Sequence, residues 1–189
     1  METIRHRLDA AHTLQRSGLA PFVAGEMAAF HGRKVVEGTA FACLVAIDNG
    51  LNYVPRDAKN QWNAEDILTS LQAKNISAFP SPSIWRKATE AELSEDPATI
   101  RVEGQPERRL THSQLIAIYR RLHRWNHELN PYTSEGREAF AAANAGVLWD
   151  DLARLDLFLG EHVIGIRNEA FYCRLRDGDG LTKVVPLSR

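Results

Sequence analysis

The sequence predicts a mixed α/β domain of the α+β kind spanning residues 1–189, and three observations carry that prediction. Apolar residues recur at helical spacing in several stretches, a long apolar run rich in β-formers sits near the middle of the first half, and a glycine-rich turn divides two short apolar segments near the carboxyl terminus. With 189 residues, 44% of them hydrophobic and 25% charged, the chain has the composition of a globular protein with one core of ordinary size.

Ile4, Leu8, Ala11 and Leu14 precede Ser17-Gly18 and predict an opening amphipathic helix, a helical amino-terminal extension to the domain. Pro21 then starts a second short helix through Phe30, because a proline in the first turn forfeits no intrahelical hydrogen bond. Residues 35–47 read as a central strand closed by a turn at Asp48-Asn49-Gly50. Asn63 caps a helix whose first turn is acidic and whose stripe is Ile67, Leu68 and Leu71. Phe79-Pro80-Ser81-Pro82-Ser83 reads as an extended connector, since each proline removes an amide donor.

Thr89 and Glu92 form a capping box for a short helix, and residues 99–102 and 107–110 predict a hairpin around Glu103-Gly104-Gln105-Pro106. Thr111 and Gln114 form a second capping box, with Leu110 and Leu115 as its hydrophobic staple. The helix they open carries Leu115, Ile118, Tyr119, Leu122, Trp125 and Leu129 on one stripe and ends before Asn130-Pro131. Two further helical stretches follow, one from Ser134 through Ala143 and one marked by Leu148, Leu152, Leu155 and Leu159. Residues 171–175 and 181–187 predict a final hairpin around Asp177-Gly178-Asp179-Gly180.

Composition narrows the function classes. A formal net charge of -1 and a pI near 6.7 argue against coating DNA by bulk charge and leave a local basic patch as the form such binding would take. Cys43 and Cys173 sit in apolar surroundings and predict buried, reduced thiols, and no apolar segment suggests a leader or membrane insertion. A cytoplasmic location follows as the expectation. No Walker phosphate loop, Rossmann fingerprint or Gly-x-Ser-x-Gly elbow occurs.

Three constellations carry candidate chemistry. Arg108, Arg109, Arg120, Arg121 and Arg124, with His112, His123 and His127, form a basic concentration in which each guanidinium can give a phosphate two near-parallel hydrogen bonds. Arg120, Arg121, Arg124 and His123 are the DNA-binding candidates, while Tyr119 and Trp125 fall on the core stripe and are expected to pack inward. Second, Ser134-Glu135-Gly136-Arg137-Glu138 opens a helix whose free amides suit an anionic phosphate. Third, His123 and His127 lie one helical turn apart beside Glu128, but Arg124 stands where a zinc helix needs glutamate, which favours surface histidines over a metal site. Glu135, Glu138, Asp150, Asp151, Asp156 and Glu161 are the carboxylates available to hold Mg²⁺ or polarise water.

Around Gly136 the chain resembles the ParB and sulfiredoxin superfamily, whose Gly-x-x-Arg helix start contacts nucleotide phosphates, and Ala141-Ala142-Ala143 and Ala145-Gly146 continue the likeness. Ala139 stands where that motif has arginine, so Arg137 or a basic residue of the preceding helix would substitute. In length and in residues 111–131 and 134–146 the chain is similar to the plasmid-encoded fertility inhibition factors of the oncogenic suppression type. The resemblance implies a ParB/sulfiredoxin-like fold with additional helices and a factor that blocks DNA transfer through a type IV secretion system from inside the donor cell. It also implies ATP binding and hydrolysis at Ser134, Gly136 and Arg137, and cleavage of the transferred DNA strand with Arg137, Glu138 and Glu135 as catalytic residues. The alternative is a non-catalytic inhibitor that docks on the coupling ATPase of the channel and so lies at the inner membrane through its partner. A sulfiredoxin-like phosphotransfer enzyme ranks last, because neither cysteine stands at the Gly136 helix start.

Overall fold

The computed structural model describes residues 1–50, 61, 63–73, 78–127, 136–166 and 169–187, the last three of the first stretch by backbone alone. In chain order the elements are α1 (Glu2–Gln15), α2 (Pro21–Gly50), α3 (Ala64–Ala73), β1 (Ser81–Lys87), α4 (Glu90–Glu95), β2 (Ile100–Gly104), α5 (His112–Trp125), α6 (Arg137–Gly160), β3 (Glu161–Ile166), β4 (Glu169–Arg174) and β5 (Lys183–Leu187). The architecture is α+β: helices packed about α2, and an antiparallel sheet in the order β2-β1-β3-β4-β5.

The largest departure from the sequence reading is α2. Residues 35–47 were expected as a strand, yet they complete a 30-residue helix that begins at Pro21 and passes through the expected turn at residues 48–50. Ala28, Gly32, Val36, Ala40, Cys43 and Ile47 follow one another at three- and four-residue steps and are all buried, which is the helical period. The outer face of the same helix is also apolar, with Phe41 and Val45 exposed, so the run looked continuous instead of striped. Alanine at positions 40, 42 and 46 lowers the cost of the helix, and no proline interrupts it. At its first turns α2 lies so close to α5 that a Cβ on Gly25 would collide with the buried Trp125 ring, so only glycine fits there.

Other expectations held where local chemistry is strong. The Asn63 side chain accepts from the Glu65 amide at 3.0 Å, and both capping boxes form, at Thr89/Glu92 and at Thr111/Gln114. Leu110 and Leu115, the staple pair, are buried. The terminal hairpin forms from β4 and β5, with Gly180 at a φ of +78° in its turn. Three readings are corrected. Residues 81–87 are the strand β1 and not a connector; β2 pairs with β1 instead of closing a hairpin with residues 107–110, whose Glu107 and Arg108 lie in a 3-10 turn; and the two helical stretches after Ser134 are one 24-residue helix, α6, starting at Arg137. β3 was not anticipated. The expected helical residue Leu129 lies outside the described residues.

Directly paired residues across antiparallel strands share a face. His162 pairs with Cys173, which pairs with Val184, and this face of the sheet turns toward α2 and α1. The opposite face carries Trp85 edge-on to Tyr172, centroids 5.5 Å apart, and a charged row in which Arg174 and Lys183 both hold Asp177, at 2.6 and 3.1 Å. Cys43 and Cys173 are both buried free thiols, as expected. Residues from α1 (Ile4, Leu8, Ala11) join the same core as those of α2, α3, α5 and α6. Among the described residues, no helix is long and apolar enough to cross a membrane.

His162 gives the fold an acid-sensitive point. It is 2% exposed, its Nδ1 donates to the Leu159 carbonyl at 3.0 Å, and burial pushes its pKa down from about 6.5 to about 4. The folded protein therefore refuses a proton that the unfolded chain accepts. The contribution is fully present above about pH 6.5 and is lost as pH falls to about 4, a change on the order of 3 kcal/mol. Denaturant midpoints of the protein and of His162→Leu, followed from pH 7 to pH 4, are expected to diverge with pH; parallel curves would refute this assignment.

Candidate functional site

The basic helix α5 does not present its arginines as one surface. Arg120 pairs with Glu65 of α3, its Nε 3.1 Å from the carboxylate. Arg121 reaches the other way and clamps Asp151 of α6 with two hydrogen bonds of 2.7 Å. Arg124 lies over the Phe140 ring at 5.9 Å. His123 turns toward α2, where its Nδ1 accepts from Arg33 at 3.1 Å. Tyr119 and Trp125 pack inward, as their place on the stripe predicted.

His123 leads to a group of cations that the sequence reading did not assemble. With Nδ1 committed as acceptor, the His123 proton sits on Nε2 and donates to His127 Nε2 at 2.8 Å. Arg33 also holds Glu37 through Nε and Nη2, at 3.2 and 3.1 Å, and Lys34 holds the other oxygen of that carboxylate at 2.6 Å. Tyr119 adds a hydroxyl at 3.4 Å. Burial pushes the Glu37 pKa up, but the hydrogen bonds from Lys34 and Arg33 outweigh it and hold the group below its ordinary value. Lys34 and Arg7 both stand over the Phe30 ring, at 5.9 and 5.6 Å, and Arg7 donates to His31 Nδ1 at 3.2 Å.

The result is a continuous strip from α1 across α2 to α5: Arg7, His31, Phe30, Lys34, Arg33, His123, His127. Two of its three permanent cations, Arg33 and Lys34, hold one buried carboxylate, and Glu26 lines the adjoining cleft beside Met27, Phe30, His31, Arg33 and Asn126. Burial, and then the Arg7 charge, lower the pKa of His31. Burial, Arg33 and His127 lower that of His123. Both imidazoles are thus held neutral near pH 7 by burial and, after it, by the neighbouring positive charge, and an anion bound to the strip would oppose the second of these. Anion binding is therefore expected to take up protons and to tighten as pH falls from about 7.5 to about 5.5. Titration with pyrophosphate at both values tests this; equal affinity would exclude His31 and His123 from the contact. The signal for this strip in the sequence was the run His31-Gly32-Arg33-Lys34, embedded in what read as the boundary between a helix and a strand.

At the second candidate, Gly136 is the N-cap of α6, with φ -74° and ψ 166° and no side-chain cap. The Glu138 carboxylate stands 4.0 Å from where a Gly136 Cβ would lie, where it complements the helix dipole. The Arg137 guanidinium lies 4.9 Å over the Phe22 ring. Phe22 in turn stacks on Trp125, which meets Phe140 edge-on at 5.0 Å, so one aromatic cluster brings Arg137 and Arg124 to the same region. Ser134, Glu135 and Glu128 lie outside the described residues. Of the other carboxylates, Asp151 is held by Arg121, Asp156 by Arg176 and His12, and Glu161 by Arg174 and Tyr172. Among the described residues, no three His, Cys, Asp or Glu side chains gather into a metal-holding group.

Comparison with known proteins finds no family model, no curated protein and no solved structure that matches the chain.

Proposed function

We propose that this protein is a bacterial fertility inhibition factor that grips the phosphates of DNA along the Arg7–His31–Arg33–Lys34–His123 strip and so blocks transfer of that DNA through a type IV secretion system. One observation supports the grip: Arg7 with His31 and Arg33 with His123 are linked through Lys34 and the Phe30 ring on one side of α2, and of these three fixed cations only Arg33 and Lys34 are held by a carboxylate, Glu37. The inhibitory role and the ParB/sulfiredoxin-like fold rest on the resemblance around Gly136 and in residues 111–131. In the full form of the proposal ATP binds beside Gly136 and Arg137, Arg124 and Arg137 supply positive charge to its phosphates, and Glu138 with Glu135 and Mg²⁺ supports hydrolysis and strand cleavage.

The test uses labelled single-stranded and double-stranded DNA with and without ATP, Mg²⁺ and chelator, beside Arg137→Ala and Glu138→Ala proteins purified identically. The proposal expects cleavage by the unaltered protein and its loss in both variants. DNA binding without cleavage would remove the nuclease step and keep the grip, whereas neither binding nor cleavage would overturn the reading.

A second reading, docking on the channel's coupling ATPase without chemistry, is favoured by the apolar ridge that Val23, Met27 and Phe30 expose along α2. Capture of the purified coupling protein, lost in Met27→Asp and unaffected by Arg33→Ala, would select it.

A further inference from the structure

The sheet face bearing His162 does not close tightly on α2. Between them lies a cavity of about 610 Å³, within the range of roughly 300–1,000 Å³ typical of small-molecule sites. Thr39, Ala42, Cys43 and Ala46 form its helical wall, and His162, Ile164, Phe171 and Cys173 its sheet wall. Ile4 of α1 closes one side.

Two polar groups of this lining already have partners within the fold. The Thr39 hydroxyl donates to the Val35 carbonyl at 2.9 Å, and His162 donates from Nδ1 to Leu159. Burial keeps the imidazole neutral. It also pushes the Cys43 thiol up to about 12 and raises that of Cys173, so both remain uncharged. A space this large with so few free hydrogen-bonding groups favours hydrocarbon over water. Phe41, Val45 and Val184 also line the cavity and are exposed, so apolar surface continues to its mouth.

Among the lining side chains, fixed charge enters at one place. Lys34 borders the cavity, and it shares Glu37 with Arg33, which leaves the three groups with one positive charge in excess.

We propose that the cavity is a binding site for a long-chain carboxylate, its aliphatic chain between α2 and the sheet and its carboxylate at Lys34. The site does not depend on the DNA reading and is tested without DNA.

Dodecanoate, below its micelle concentration, is titrated into the protein by calorimetry, with dodecanol and anionic phospholipid vesicles as parallel probes. Saturable one-to-one binding of dodecanoate is expected. Ala42→Trp, which fills the cavity, should abolish it, and Lys34→Ala should weaken dodecanoate about tenfold while leaving dodecanol unchanged. In the unaltered protein, bound dodecanoate should also slow methanethiosulfonate labelling of Cys43 and Cys173 severalfold, a readout that stands even if Ala42→Trp does not fold. Absence of saturable binding, equal binding by a folded Ala42→Trp protein, association with vesicles alone, or unchanged thiol labelling would each overturn the proposal.

Discussion

Replacing Arg121 with alanine is expected to lower the stability of the folded protein by about 3 kcal/mol, the low end of what breaking a buried ion pair costs. The reason is the partner left behind. Asp151 is 2% exposed and receives two hydrogen bonds of 2.7 Å from Arg121, so truncation strands a carboxylate where water reaches it poorly. Arg121 itself is 39% exposed, which places the effect at the lower end of the range. At about 2–4 °C per kcal/mol for a chain of this size, the melting temperature should fall by roughly 6–12 °C. Asp151→Asn should cost less, because a neutral amide tolerates burial better than an unpaired charge. A melting temperature unchanged in Arg121→Ala would show that the clamp is not a structural element. Any DNA-binding defect of that variant is to be read only after its folded fraction is known.

Removing Arg7 and Arg33 together is expected to weaken DNA binding on the order of 10–100-fold at about 0.1 M salt and to reduce the slope of log affinity against log salt by about 2. Arg7→Ala/Arg33→Ala is the informative combination because Lys34 still holds Glu37, so no buried carboxylate is abandoned. Arg120→Ala serves as the comparison: its guanidinium is engaged with Glu65 at the surface of α3, and it should change the slope by less. If Arg120→Ala has the larger effect, the interface lies on the α3 side of α5 and not across α2.

What the sequence disclosed depended on whether the signal was local. Thr111 and Gln114 need only one turn of helix to find each other, and the same is true of Thr89 with Glu92 and of Asn63 with Glu65. The turn at residues 177–180 is likewise a property of a few neighbouring residues. β1 was hidden because Pro80 and Pro82 read as breaks, although a proline at the margin of a ladder is tolerated. In α2 the exposed Phe41 and Val45 erased the polar half of the helical pattern. The candidate site was the least legible part. Its groups come from α1, α2 and α5, and Arg33 meets His123 across 90 positions of chain. No window of sequence contains both, so the basic concentration on α5 drew attention while its arginines were being spent on Glu65 and Asp151.

The sheet is two antiparallel pieces joined by a narrow seam. β1 meets β3 through only two residue pairs, Ser81 with Val163 and Pro82 with His162, and the second of these has no proline amide to give. Forming that seam closes a loop running from residue 82 to residue 162, the kind of non-local contact whose entropic cost must be met before it returns any stability. β3, β4 and β5 follow one another directly and can assemble without it. The β1–β2 arm is therefore the part of the sheet expected to open by itself, exchanging its amide hydrogens through local fluctuations while the β3–β4–β5 amides wait for global unfolding.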